Sequence, residues 1–187
     1  MIGDLPESLD VSGRQIPIRT DFRDVLTIIA AFNDPELETK EKTYVCLTIL
    51  YPGFRELRKE DYAAAYRAAV CFIDGGTENN DAHPRAKPRL MDWEQDERLI
   101  FPAINHVAGF ETRSVKYIHW WTFLGYFMEV RDGTFAEVLR LRAKKRACKK
   151  FEKWEQEFWN DNKDICILTT RLSEAEKEAA ERLNRML

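Results

Sequence analysis

The chain has 187 residues, 44% of them hydrophobic and 33% charged, with a formal net charge of −3. That balance excludes a disordered chain and gives no global electrostatic reason for nucleic-acid binding. No run of about eighteen apolar residues could span a membrane, and the acidic, proline-broken start Asp4-Leu5-Pro6-Glu7 does not read as a signal peptide.

Residues 8–18 alternate Leu9, Val11, Ile16 and Ile18 around Ser12-Gly13, which predicts a β-hairpin. Two strands alone are marginal in water, so the hairpin must lie on helices or pair with another chain. Thr20 is placed as the cap of a helix to about Phe32, with Phe22, Val25, Leu26, Ile29 and Phe32 on its apolar face. Pro35 is read as the first turn of the next helix, which ends at Tyr51-Pro52-Gly53. A third helix runs from about Lys59 to Asp74 and stops at Gly75-Gly76. Residues 75–91, with two glycines and two prolines, read as a mobile loop.

A helix from Asp92 to about Val107 follows, with Pro102 expected to kink or split it. Its early acids, Asp92, Glu94, Asp96 and Glu97, read as complements to the helix dipole. Thr112 is placed as the cap of an aromatic helix, and Thr134-Phe135-Ala136-Glu137 as a capping box. The basic helix that begins there runs to Trp159 or breaks near Lys150; the sequence leaves both open. Residues 165–168 are ambiguous between strand and helix. Ser173 and Glu176 form a second capping box, opening a charged, alanine-rich terminal helix with little to bury.

Seven of the eleven side chains in Tyr117–Phe127 are aromatic if His119 is counted. Aromatic side chains bury large areas, so Trp120, Trp121 and Phe123, with Phe22, are placed in the structural core. His119 reads as a hydrogen-bonded core histidine rather than a ligand. The cysteines 46, 71, 148 and 166 form no Cys-x-x-Cys pair and read as reduced thiols, Cys46 and Cys71 as core fillers. No histidine pair has helical metal spacing, and no nucleophile elbow, phosphate loop or dinucleotide fingerprint is present. The expectation is a non-enzymatic protein with no metal or cofactor.

The basic run is the sharper motif: Arg140, Arg142, Lys144, Lys145, Arg146, Lys149 and Lys150, with no acid among them. It reads as a solvated helix face, as a cationic surface for an acidic protein or a second copy, or as a nucleic-acid site without a supporting motif. Glu152, Glu155 and Glu157 follow and could pair with it across neighbouring chains. Trp154 and Phe158, four apart on one face, read as domain packing or as partner anchors. The candidate partner-binding set is therefore Arg140, Arg142, Lys144, Lys145, Lys149, Trp154 and Phe158.

Several blocks together carry a resemblance. They are Leu5-Pro6-Glu7-Ser8-Leu9, Ile16 to Arg23, Asp96 to Asn105, the His119-Trp120-Trp121-Thr122-Phe123 block, Arg140 to Lys145 and Lys149 to Glu155. In this order they resemble the small phage proteins grouped as "gene product fifteen", over roughly residues 4–168. These are encoded by tailed phages and prophages of Gram-positive bacteria, beside the tape-measure protein. The resemblance implies a tail-assembly chaperone that binds the tape-measure protein, yields to tail-tube subunits and stays in the host cytoplasm, absent from the mature virion. A minor structural protein of the virion tail and a helical nucleic-acid-binding module are the alternatives. Self-association is expected; nucleic acid and membrane are not. The fold expectation is mainly α, a single helical domain (1–170) of about six to eight helices with an N-terminal hairpin. Residues 171–187 form a terminal helix read as an exchange or oligomerisation element.

Overall fold

The computed structural model describes residues 3–77 and 89–186, so most of the expected loop 75–91 lies outside the described residues. The fold is mainly helical with a two-stranded N-terminal hairpin. Contacts group the chain into two compact units, Met1–Glu78 with Thr170–Leu187, and Asn79–Thr169. One boundary falls between residues 169 and 170. The other falls between residues 78 and 79, inside the stretch read from sequence as a loop.

In the first unit, β1 (Ser8–Val11) pairs antiparallel with β2 (Arg14–Pro17), Leu9 opposite Ile16. Ser12 and Gly13 both take positive φ (54° and 80°), as a two-residue hairpin turn requires. Gly supplies that conformation freely, and Asp10 Oδ1 accepts the Gly13 N–H at 3.0 Å. Val11 faces inward and is fully buried, with β1 lying against a helix.

Three helices follow: α1 (Phe22–Asn33), α2 (Thr39–Leu50) and α3 (Tyr62–Ile73). Asp21, not Thr20, caps α1, accepting the Arg23 N–H at 2.9 Å. Pro35 lies in the turn before α2, which starts four residues later. There Glu38 and Glu41 close a reciprocal capping box, a pattern that a search for Ser or Thr caps overlooks. α2 packs on α1 and on α3. Between them sit Phe22, Val25, Ile28, Cys46, Leu47, Leu50, Ala65, Ala69 and Phe72. The small Ala65 and Ala69 let α3 approach closely. Buried Tyr51 donates its hydroxyl to the Ala65 carbonyl at 2.8 Å, satisfying its polar end. Gly75 and Gly76, both left-handed, end α3; the Gly76 N–H reaches back to the Cys71 carbonyl at 2.8 Å.

The second unit holds α4 (Glu97–Ala108), α5 (Trp120–Met128), α6 (Gly133–Arg146), α7 (Lys153–Asp161) and the short α8 (Lys163–Cys166). Pro102 does not split α4. It sits on the exposed side, where water can hydrate the carbonyl that loses its donor. Thr112 is not the cap of α5; it is buried, and its N–H and hydroxyl bond Asn105 Oδ1 at 2.9 and 2.8 Å. The cap is His119, whose Nδ1 accepts the Trp121 N–H at 3.0 Å. The expected box at Thr134 does not form: α6 starts at Gly133, and the Glu137 carboxylate turns to Arg140 instead.

The aromatic block builds this core unevenly. Trp120 and Phe123 are buried and stack, and Trp93 packs against both as well as Phe127. Trp121 is only half-buried. Successive helix residues point about 100° apart, so the packing that covers Trp120 leaves its neighbour partly in solvent. A further cluster of Val138, Leu141, Trp159 and Cys166 joins α6, α7 and α8. The final helix, α9 (Glu174–Met186), belongs to the first unit and opens with the expected capping box, Ser173 N–H to Glu176 Oε2 at 2.8 Å and Glu176 N–H to Ser173 Oγ at 3.2 Å.

Candidate functional site

The basic run occupies the second half of α6 and the turn after it. The helix stops at Arg146, where Cys148 takes positive φ, and α7 starts afresh at Lys153. Cations in the last turn suit the negative end of the helix dipole. Most of the run is spent inside the second unit.

Arg142 is buried rather than presented. Its guanidinium holds Asp96 through two bonds of 2.7 and 2.8 Å. It also donates to the carbonyls of Leu90, Ile165 and Cys166 at 2.9, 2.6 and 3.0 Å. One side chain thus ties α6 to the segment before α4 and to the end of α8. Its removal from the partner-binding set has a plain cause: Phe135, Val138 and Arg142 recur at the i, i+3, i+7 spacing of a helix face, and that face is the buried one. The same spacing is the signal that could have found it. Asp96, read as a dipole complement, is its buried partner.

Glu155 is buried as well. Lys144 Nζ contacts its Oε2 at 2.5 Å, Arg140 Nη1 lies 3.0 Å from Oε1, and the Glu152 N–H donates at 2.7 Å. The Lys144 hydrogen bond, aided by that N–H, holds the Glu155 carboxyl below the usual carboxylate range. Arg140 also grips Glu137 at 2.8 Å and lies over the Trp154 ring at 5.2 Å. The cationic run therefore pairs with Glu155 of the acidic cluster within one chain. Lys145 stacks on Trp159 at 4.1 Å, while Lys149 and Lys150 are exposed.

Trp154 and Phe158 part company. Trp154 is about half-exposed, its indole N–H donating to Glu152 at 3.0 Å, whereas Phe158 packs on the Val138–Trp159 cluster. The residue that anchors α7 is Trp159, buried in that cluster.

Besides a cleft of about 310 Å³ lined by Arg140, Ala143, Lys144, Ala147 and Lys149, two others among the described residues open on this unit. One of about 540 Å³ lies between α4 and the start of α6, lined by Leu99, Pro102, Ala103, Val107, Val130 and Phe135, with Arg98, His106 and Asp132 at its edge. The other, of about 290 Å³, has an apolar floor of Leu90, Trp159, Cys166, Ile167 and Leu168 and a rim of Arg89, Lys145 and Arg146. Among the described residues, no three His, Cys, Asp or Glu side chains converge as metal ligands, and no helix is long and apolar enough to cross a membrane.

A family model described as "Bacteriophage Gp15 protein" matches residues 1–168. No curated protein and no solved structure matches the chain.

Proposed function

Since this chain belongs to the bacteriophage Gp15 protein family, we propose that it is a non-enzymatic tail-assembly chaperone that keeps the tape-measure protein soluble until tail-tube subunits replace it. The family match over residues 1–168 carries this reading. The cleft beside α4 supports it: its walls are mainly apolar, with charge at the edge, the chemistry that covers the apolar stripe of an amphipathic client helix. Exposed Val107 and Phe110 extend apolar surface along the end of α4. The internal pairing of Arg140, Arg142 and Lys144 weakens the nucleic-acid alternative, because neutralised cations release few counterions from a phosphate backbone.

Co-expression with the tape-measure protein of the same phage tests the proposal. The tape-measure protein should move into the soluble fraction and co-purify with this chain. An insoluble client at stoichiometric amounts of this protein would overturn it. Purified virions should lack the chain; its presence there would favour the tail structural role.

A further inference from the structure

The terminal helix α9 lies beyond the residues that the family model covers. Ala175, Ala179 and Leu183 are spaced by four and so form one stripe of α9, with Leu172 just before the capping Ser173. All four are exposed, Leu183 at 60%. A helix of 13 residues is marginal in water without an apolar partner. One tie to the first unit is the Glu174 N–H donating to Glu36 at 2.7 Å, at an exposed site. The stripe is bordered by Glu176 on one side and by Arg182 and Glu178 on the other. Glu178 is held only by an exposed pair with Arg182 at 3.5 Å, of the kind worth little in water.

The small cleft of the second unit offers the complement. Its volume of about 290 Å³ suits a bulky side chain or two, not a whole helix. Its floor is apolar, and its rim is Arg89, Lys145 and Arg146 with no acid among the lining residues. Half-exposed Ile167 leaves part of that floor in water.

We propose that α9 of one copy docks on this cleft of a second copy, inserting Leu183 onto the Trp159–Ile167 floor while Glu176 and Glu178 face the cationic rim. Opposite charges across the contact set its orientation and make it salt-sensitive. The contact joins two different surfaces, so it is head-to-tail: each copy gives one α9 and receives another, and the assembly grows into a ring or an open string. This inference stands apart from the tail-assembly reading and needs no client for its test.

The full chain would be followed by sedimentation or light scattering from low micromolar to near-millimolar concentration. At low salt the wild-type mass should rise above the 22.0 kDa of one chain and fall back as salt is added. Leu183→Glu, and separately Lys145→Glu with Arg146→Glu, should each weaken association by about tenfold or more, because each leaves a charge unmatched at the contact. Ile167→Glu is a second cleft variant that spares the Lys145–Trp159 stacking. Leu183 and Ile167 are exposed, so the melting curves of their variants should remain near wild type. Mixing the Leu183→Glu chain with a cleft variant should restore a complex of two chains and no more, since one supplies the intact cleft and the other the intact helix. A wild-type chain that stays monomeric throughout would overturn the proposal. So would association that survives either class of variant, or a mixture that remains monomeric.

Discussion

Arg142 and Asp96, 46 residues apart in sequence, form a buried two-bond ion pair at 2.7 and 2.8 Å. Three backbone carbonyls complete the guanidinium's partners. Removing one member strands the other charge in a buried site, and such losses run to about 3–5 kcal/mol. Arg142→Met should therefore lower the urea midpoint steeply. Asp96→Leu added to it should restore part of the loss by removing the stranded carboxylate. A double variant that is worse than the single one by the full cost of a second lesion would argue that the pair is not coupled.

Trp120 and Trp121 are neighbours in sequence but not in burial. Trp120→Ala should cost about 3–5 kcal/mol, as large aromatic truncations in cores do. Trp121→Ala should cost less, because part of its surface is already hydrated. Equal drops in melting temperature would contradict the placement of α5.

Glu155 gives the protein an acid-sensitive clasp. Lys144, the Glu152 N–H and Arg140 hold its folded pKa below the unfolded value of about 4.3. A depressed carboxylate contributes stability above the unfolded value and loses it as pH falls through the folded one. Glu155→Gln should therefore be less stable than wild type at pH 7, and the gap should narrow on acidification below about pH 4. A gap constant between pH 7 and the acid limit would show that the charge contributes nothing.

The cysteines should react in a definite order. Cys148 is exposed in the turn after α6, whereas Cys46 and Cys166 are buried. Burial pushes the Cys46 thiol up to about 12. At pH 8 its thiolate fraction is then on the order of 10⁻⁴, and thiolate is the reactive form. Alkylation of the native protein followed by peptide mass analysis should find Cys148 modified first, with Cys46 labelled only after denaturation. Rapid native labelling of Cys46 would contradict the packing of α2 on α3.

Much of the fold was legible because local physics fixes it. The Ser12-Gly13 turn, the glycine stop at residues 75–76 and the Ser173–Glu176 box each need only residues within reach of one another along the chain. The buried face of α1 at Phe22 and Val25 follows from its period. Helix starts differ from the sequence reading where the cap is a residue outside the usual set, as with His119 and the Glu38 box.

The sequence by itself determined a mainly helical chain with a hairpin, and its block order pointed to the phage family. Only the tertiary structure decided what the charges do. Seven cations without an intervening acid look like a presented surface when read along the chain. In space, Asp96 arrives from 46 residues away and Glu155 folds back from α7, so Arg142, Lys144 and Arg140 become internal ties. Whether a charge is presented or buried depends on partners brought by folding, because burial is tolerated only where an opposite charge and hydrogen bonds replace water. A one-dimensional pattern records the charge but not the partner.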